Sequence, residues 1–130
     1  GYNQVGFDVV GIDIKPQLYH DILTTCVEGG SSYWLQCKRV KRDKDLNVLK
    51  IVGCEDVTGE MPDDNKMWGD ANHTTIHRGI KRLLSGSVKV SQEIRQQVFG
   101  LVTDEDYTGW DAWTADAILQ AGLLNDITFG

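Results

Sequence analysis

Arg78, Lys81 and Arg82 have the strongest claim to chemistry, three cations at i, i+3 and i+4 in R-G-I-K-R. That spacing puts them on one side of a helix, and a planar guanidinium suits bidentate contact with phosphate. Trp34 and Lys38 lie in a second candidate segment, Y-W-L-Q-C-K, where an indole could stack on a nucleobase and an ammonium could meet an anion. The expected ligand-binding set is therefore Trp34, Lys38, Arg78, Lys81 and Arg82, for a nucleotide or another phosphate-bearing molecule. Tyr33 is the alternative stacking residue, although strand alternation points it into the core. Against this set stands the plainer reading that basic residues on a helix face are merely solvated.

Other constellations fall short of a reaction. His73 and His77 stand four apart, a spacing that serves a metal on a helix, but Thr74 and Thr75 replace the H-E-x-x-H pattern and His73 is expected to precede the helix. Asp63, Asp64, Asn65 and Asp70 offer oxygen ligands without the spacing of a calcium loop. Asp104, Glu105, Asp106, Asp111 and Asp116 make the last third acidic, yet no nucleophile or positioned base accompanies them. No serine sits in a G-x-S-x-G elbow, and neither a G-x-x-x-x-G-K-[ST] loop nor a complete G-x-G-x-x-G occurs. The expectation is no catalytic residue, no metal and no cofactor.

Composition narrows the partners. A net charge of −6 argues against broad duplex binding, which depends on many Lys and Arg neutralising phosphates. The charge is uneven, because Lys38, Arg39, Lys41, Arg42 and Lys44 form a basic run that leaves room for a local anion site. Cys26, Cys37 and Cys54 are odd in number and lack a C-x-x-C pair, so buried reduced thiols are expected in place of a disulfide framework or zinc knuckle. Without a long apolar run or a signal-peptide pattern, the chain is read as soluble and intracellular.

The elements that must position these residues follow from periodicity. At 130 residues one domain is expected. A β-branched run over residues 7–14, closed by Lys15-Pro16, predicts a strand. Leu18, Ile22 and Cys26, widened by Tyr19, Leu23 and Val27, predict a helix over residues 18–28 that stops on Gly29 and Gly30. Alternation over residues 32–42 predicts a strand with Tyr33, Leu35 and Cys37 on the core face and Trp34, Gln36 and Lys38 on the other. A hairpin returns it over residues 46–57, and the turn-rich residues 58–74 read as a long loop whose Met61, Met67 and Trp68 fold back onto the core. Three helices follow: one capped by Thr74 or Thr75 and running to Leu84, one beginning at Ser91, and one over residues 111–124, before a short strand at residues 127–129. The fold class is α+β, a small antiparallel sheet packed against about four helices.

Two resemblances add to this. Residues 1–17, G-Y-N-Q-V-G-F-D-V-V-G-I-D-I-K-P-Q, resemble the stretch after the first motif of phage DNA cytosine methyltransferases, where an acidic residue in the position of Asp13 helps hold S-adenosylmethionine. The chain has neither the glycine-rich motif expected before that stretch nor a Pro-Cys nucleophile, so a methyltransferase-derived segment without that activity is expected. D-I-L-T-T-C-V-E-G-G-S-S-Y-W at 21–34, R-G-I-K-R-L-L at 78–84 and D-A-W-T-A-D-A-I-L-Q-A-G-L at 111–123, with terminal Phe129-Gly130, resemble a family of small uncharacterised tailed-phage proteins. That resemblance implies action in the host bacterial cytoplasm and brings no reaction with it. The expected function is non-enzymatic counter-defence, sequestering a nucleotide immune signal in a homo-oligomer. The alternatives are masking of a host defence or CRISPR factor through Trp34, Trp68 and the hairpin, or a small hydrolase or DNA-modification accessory protein.

Overall fold

A computed structural model describes residues 14–44, 46–103 and 112–130. The strand expected over residues 7–14 lies outside the described residues except for Ile14, which packs against the core. Pro16 opens the first helix, α1 (Pro16–Thr25), at a position where a missing N–H costs nothing. Its Leu18, Tyr19, Ile22 and Leu23 are buried. The helix widens into a π-type turn, Cys26–Gly30, and ends where Gly29 adopts φ +144°, a conformation that an L side chain would resist. Gly29 therefore breaks the helical geometry where its position predicts, within a segment that runs on to Gly30.

The chain then coils before it extends. Trp34 and Leu35 both donate their N–H groups to Ser31 O, at 3.2 and 3.0 Å, so Ser31 to Trp34 is a turn. Strand β1 (Leu35–Gln36) and strand β2 (Arg39–Arg42) replace the single strand expected over residues 32–42. Both pair antiparallel with β3 (Leu49–Asp56), β1 opposite Asp56 and Glu55 and β2 opposite residues 49–52. The opposite edge of β3 is taken by β4 (Met67–Ala71), with register shifts around Cys54. This strand corrects the long loop: glycine, aspartate and asparagine signalled a turn, but tertiary pairing with β3 overrides their weak strand propensity. A 3₁₀ turn, Asp63–Asn65, occupies the first part of that stretch.

Helix α2 (His73–Ser85) starts earlier than expected because Asn72, not Thr74 or Thr75, caps it. The Asn72 side chain accepts from the Thr74 and Thr75 N–H groups while the Thr75 hydroxyl accepts from the Asn72 N–H, a reciprocal capping box. Gly86 closes the helix at φ +86°. Helix α3 (Gln92–Thr103) follows Ser91, whose hydroxyl accepts from Ile94 N–H. In helix α4 (Ala112–Leu124), the helix expected over residues 111–124, every residue from Thr114 to Gly122 is buried. It touches α1, α2, α3, β4 and the Cys26–Gly30 turn, and a helix surrounded in this way has no solvent face to reserve for polar residues.

Close approach makes that burial feasible. A Cβ added at Gly79 of α2 would collide with Ile118 O, and one added at Gly122 of α4 would collide with Thr75 O. The two helices thus cross backbone against backbone, and the core of Ile22, Leu23, Trp34, Ile51, Ile80 and Leu119 closes around them. The architecture is α+β, four helices with a small antiparallel sheet. Among the described residues no helix is long and apolar enough to cross a membrane.

Candidate functional site

Burial of α4 carries one carboxylate inward with it, and the turn after Gly30 supplies its partners. Asp116 Oδ1 accepts from the Ser31 hydroxyl at 2.6 Å and from Trp34 Nε1 at 2.7 Å. Its Oδ2 accepts from the Tyr33 hydroxyl at 2.5 Å and from Gln120 Nε2, one helical turn on, at 3.0 Å. A carboxylate has about four acceptor positions, and here four donors meet them. Such satisfaction is what lets a polar side chain sit at 6% exposure. Ser31, Tyr33 and Trp34 reach one acceptor because the segment is a turn, whereas a strand would have sent Tyr33 and Trp34 to opposite faces.

Gln120 extends the network to the end of the described chain. Its Oε1 accepts from the Thr128 and Phe129 N–H groups, both at 2.9 Å, and its Nε2 donates to Phe129 O at 3.0 Å. The side-chain amide replaces the backbone partner that the short strand expected at 127–129 would have needed. Phe129 is thereby held with its ring stacked on Trp34, centroids 5.2 Å apart and planes 9° from parallel. Trp68 meets both rings edge-on, at 5.4 Å from Trp34 and 6.3 Å from Phe129.

Beside this network lies a cleft of about 340 Å³. Tyr33, Trp113, Ala117 and Phe129 give it apolar and aromatic surface, Asp116 and Gln120 its polar side chains, and Gly29 and Gly30 bring the end of the first helical segment to it. No Lys, Arg or His is among its described lining residues. Tyr33 and Trp113 line it at 49% and 69% exposure. Burial, and then the bonded Asp116 carboxylate, push the Tyr33 hydroxyl well above its ordinary value. Burial pushes the nearby Cys26 thiol up to about 12, and its Sγ donates to Ala115 O at 3.4 Å. A thiol held protonated is a poor nucleophile.

A second hollow of about 410 Å³ lies among Gln17, His20, Arg42 and Asn47. There His20 Nδ1 accepts from Leu49 N–H at 3.1 Å and Arg42 donates to Asn47 O at 2.8 Å, so these groups brace the hairpin loop.

The residues expected to bind a ligand have separate surroundings. Trp34 is wholly buried, and its partners are Asp116, Phe129 and Trp68. This corrects the face assignment: Trp34 points inward and Tyr33 outward, because the turn at Ser31 to Trp34 breaks the alternation. Lys38 is exposed, and its aliphatic stem lies over Gly53. Arg78 Nε donates to Gly122 O at 2.9 Å, and Arg82 Nη1 donates to Ala121 O at 2.8 Å and to Gly122 O at 3.3 Å. Both guanidinium groups thus cap the carbonyl end of α4, a favourable place for positive charge. Lys81 is exposed on the same helix. The structure brings Arg78 and Arg82 together but gives Trp34 and Lys38 different neighbours.

The histidines also differ from expectation. His73 lies inside α2, with Nδ1 3.7 Å from Asp43 Oδ2, and His77 Nδ1 is 3.1 Å from the Tyr19 hydroxyl. Among the described residues no group of three or more His, Cys, Asp and Glu side chains is arranged to hold a metal. Of the residues around the cleft, Trp113 and Gln120 carry no site expectation in the sequence, Tyr33 only that of an alternative stacking residue, and Asp116 only that of one acid in an acidic last third. The available signal was one aspartate inside the apolar run A-D-A-I-L-Q with glutamine four residues on. Comparison with family models, with curated proteins and with solved structures finds no match to this chain.

Proposed function

We propose that the chain is a non-enzymatic binding protein whose ligand sits in the cleft beside Tyr33 and Trp113. One observation carries this reading: an aromatic-walled hollow is built against a polar network whose donors and acceptors are already matched. A carboxylate with all four acceptor positions engaged is placed to hold shape, and the neighbouring thiol is held protonated, so the site favours capture over turnover. The experiment is a thermal-shift screen of small aromatic, cationic and nucleotide ligands, with Trp113→Ala as the control. A cleft ligand raises the melting temperature of the parent chain and loses that effect in the variant. A screen in which no member shifts the parent chain overturns the reading.

A second reading is nucleotide capture through Arg78, Lys81 and Arg82, as a counter-defence protein in the bacterial cytoplasm to which the phage resemblance points. It is favoured by two guanidinium groups that converge on Gly122 O and form no ion pair among the described residues. An anion such as a phosphate would relieve that crowding. Titration with cyclic and linear nucleotides tests it, with affinity expected to fall in Arg78→Ala. Unaltered affinity in that variant would remove the basic helix from the site.

A further inference from the structure

Strands β1 and β2 keep a single register against β3. Gln36 stands opposite Glu55 and Arg39 opposite Val52, so the residues between them set Cys37 opposite Cys54. On the outer face of the sheet, Gln36 Nε2 donates to Glu55 Oε1 at 2.5 Å, as directly opposed side chains do. Leu35 and Asp56, one pair back, are both buried, and alternation returns Cys37 and Cys54 to that inner face. Cys54 is buried there and Cys37 half-buried, both packed with the core.

The hydrogen-bond ladder sharpens the geometry. Val57 N–H donates to Trp34 O at 3.0 Å, so residues 34 and 57 form a hydrogen-bonded pair and residues 37 and 54, three steps on, a non-hydrogen-bonded one. Such a pair brings its Cα atoms to about 4.5 Å, inside the span of about 4.4–6.8 Å that a disulfide bridges. Beyond the cysteines the strands stay joined, because Lys38 N–H donates to Val52 O at 2.8 Å and the Lys38 stem lies where a Cβ on Gly53 would obstruct it. Burial raises both thiols, and Cys54 is pushed up to about 12 by burial first and by neighbouring Cys37 next. Neither residue lines the cleft.

We propose that Cys37 and Cys54 are a modification site, a thiol pair that exchange with a low-molecular-weight disulfide converts into a cross-strand disulfide. The thiolate of half-buried Cys37 attacks one sulfur of the oxidant, forms a mixed disulfide and releases one thiol. Cys54 gives up its proton and attacks Cys37 Sγ, which closes the protein disulfide and releases the second thiol. Two protein thiols thus lose two electrons and two protons, and the oxidant disulfide becomes two thiols. The attacking species is the thiolate, so raised thiols make the exchange slow at neutral pH and faster as pH rises. Cys26 is not part of the pair, since its Sγ donates to Ala115 O of α4. The bond fastens the break between β1 and β2 to the central strand of the sheet.

The test incubates the folded, full chain with oxidised glutathione at a mildly alkaline pH and reads intact mass, protease peptides and thermal unfolding. The expected product has lost two hydrogens, yields a peptide that links residues 37 and 54, and melts about 10 °C higher than the reduced chain because the closed loop restricts the unfolded state. Dithiothreitol is expected to reverse all three changes. Cys54→Ser is expected to stop at a glutathione adduct on Cys37, and Cys37→Ser to leave Cys54 unmodified. A parent chain that accumulates the Cys37 adduct without a cross-link overturns the proposal, because the two sulfurs are then out of reach. A cross-link to Cys26, one that forms only in urea, or a chain left wholly unmodified overturns it as well.

Discussion

Removing the Asp116 carboxylate would strand the Ser31 hydroxyl and the Trp34 indole N–H, whereas the half-exposed Tyr33 hydroxyl keeps Phe129 O at 3.4 Å as an acceptor. Each buried donor left without an acceptor costs about 1–3 kcal/mol, so Asp116→Ala is expected to lower the unfolding free energy by about 3–5 kcal/mol, read from urea denaturation. Asp116→Asn keeps one acceptor and is expected to lose less, because its new amide N–H faces donors at only one position. Cys26 supplies a prediction of opposite pH sense to that of ordinary carboxylates. Burial raises its thiol from 9.0 to about 12, so below pH 9 both folded and unfolded chains hold the proton and the stability is complete. Above that pH the unfolded thiol ionises while the folded one does not, and stability falls until the folded value is reached. The gap between 9.0 and about 12 corresponds to about 4 kcal/mol for a wholly buried group. Urea midpoints taken from pH 8 to 11 are expected to decline, and Cys26→Ala is expected to flatten the decline. An equally steep decline in that variant would assign it to other groups. Reactivity of the thiols with a disulfide reagent is expected to begin at half-buried Cys37, ahead of buried Cys26 and Cys54.

At the scale of elements, the α2–α4 crossing makes the sharpest claim on sequence. Gly79→Ala would gain helix propensity of about 1 kcal/mol, yet its Cβ meets the Ile118 carbonyl of a helix that cannot retreat from the core. Net destabilisation of about 2 kcal/mol or more is expected from thermal unfolding, and an unchanged or raised melting temperature would mean that the helices sit farther apart. Gly79 and Gly122 were not legible as a pair, since each looks like an ordinary weak point of its own helix and only the crossing relates them. The elements that were legible are those whose signals are local. The α1 stripe, the Gly29 stop, the hairpin return and the α2 stripe each rest on residues within one or two turns of one another. Strand β4 was not, because M-W-G-D-A pairs with residues 51–55 despite poor intrinsic strand preference. The reversed facing of Tyr33 and Trp34 has the same origin. Alternation in S-S-Y-W-L-Q was read as a strand, while the acceptor that holds the turn, Asp116, lies 85 residues from Ser31.

The whole molecule depends on bringing three remote segments to one place: the turn Ser31 to Trp34, the middle of α4, and Thr128 and Phe129. Phe129 is the last piece of that closure, stacked on Trp34 and held through its backbone by Gln120. Two substitutions separate the contributions of ring and backbone. Phe129→Ala removes the stacked ring but leaves both backbone hydrogen bonds available, and is expected to cost about 3–5 kcal/mol. Gln120→Ala leaves the ring and removes the amide that pairs with the segment, so amide exchange at residues 128 and 129 should accelerate strongly while α2 stays protected. If the cleft binds its ligand against Phe129 and Gly130, occupancy should slow exchange at those amides in the parent chain, because the ligand favours the closed arrangement over the open one. In Gln120→Ala that slowing should be small, since a segment without its amide partner gains little order from a ligand on its outer side. Exchange measured by mass spectrometry with and without a ligand found in the thermal-shift screen distinguishes these cases. Full protection of residues 127–130 in Gln120→Ala would show that the aromatic stack alone closes the fold and that the glutamine is not what couples the cleft to the tail.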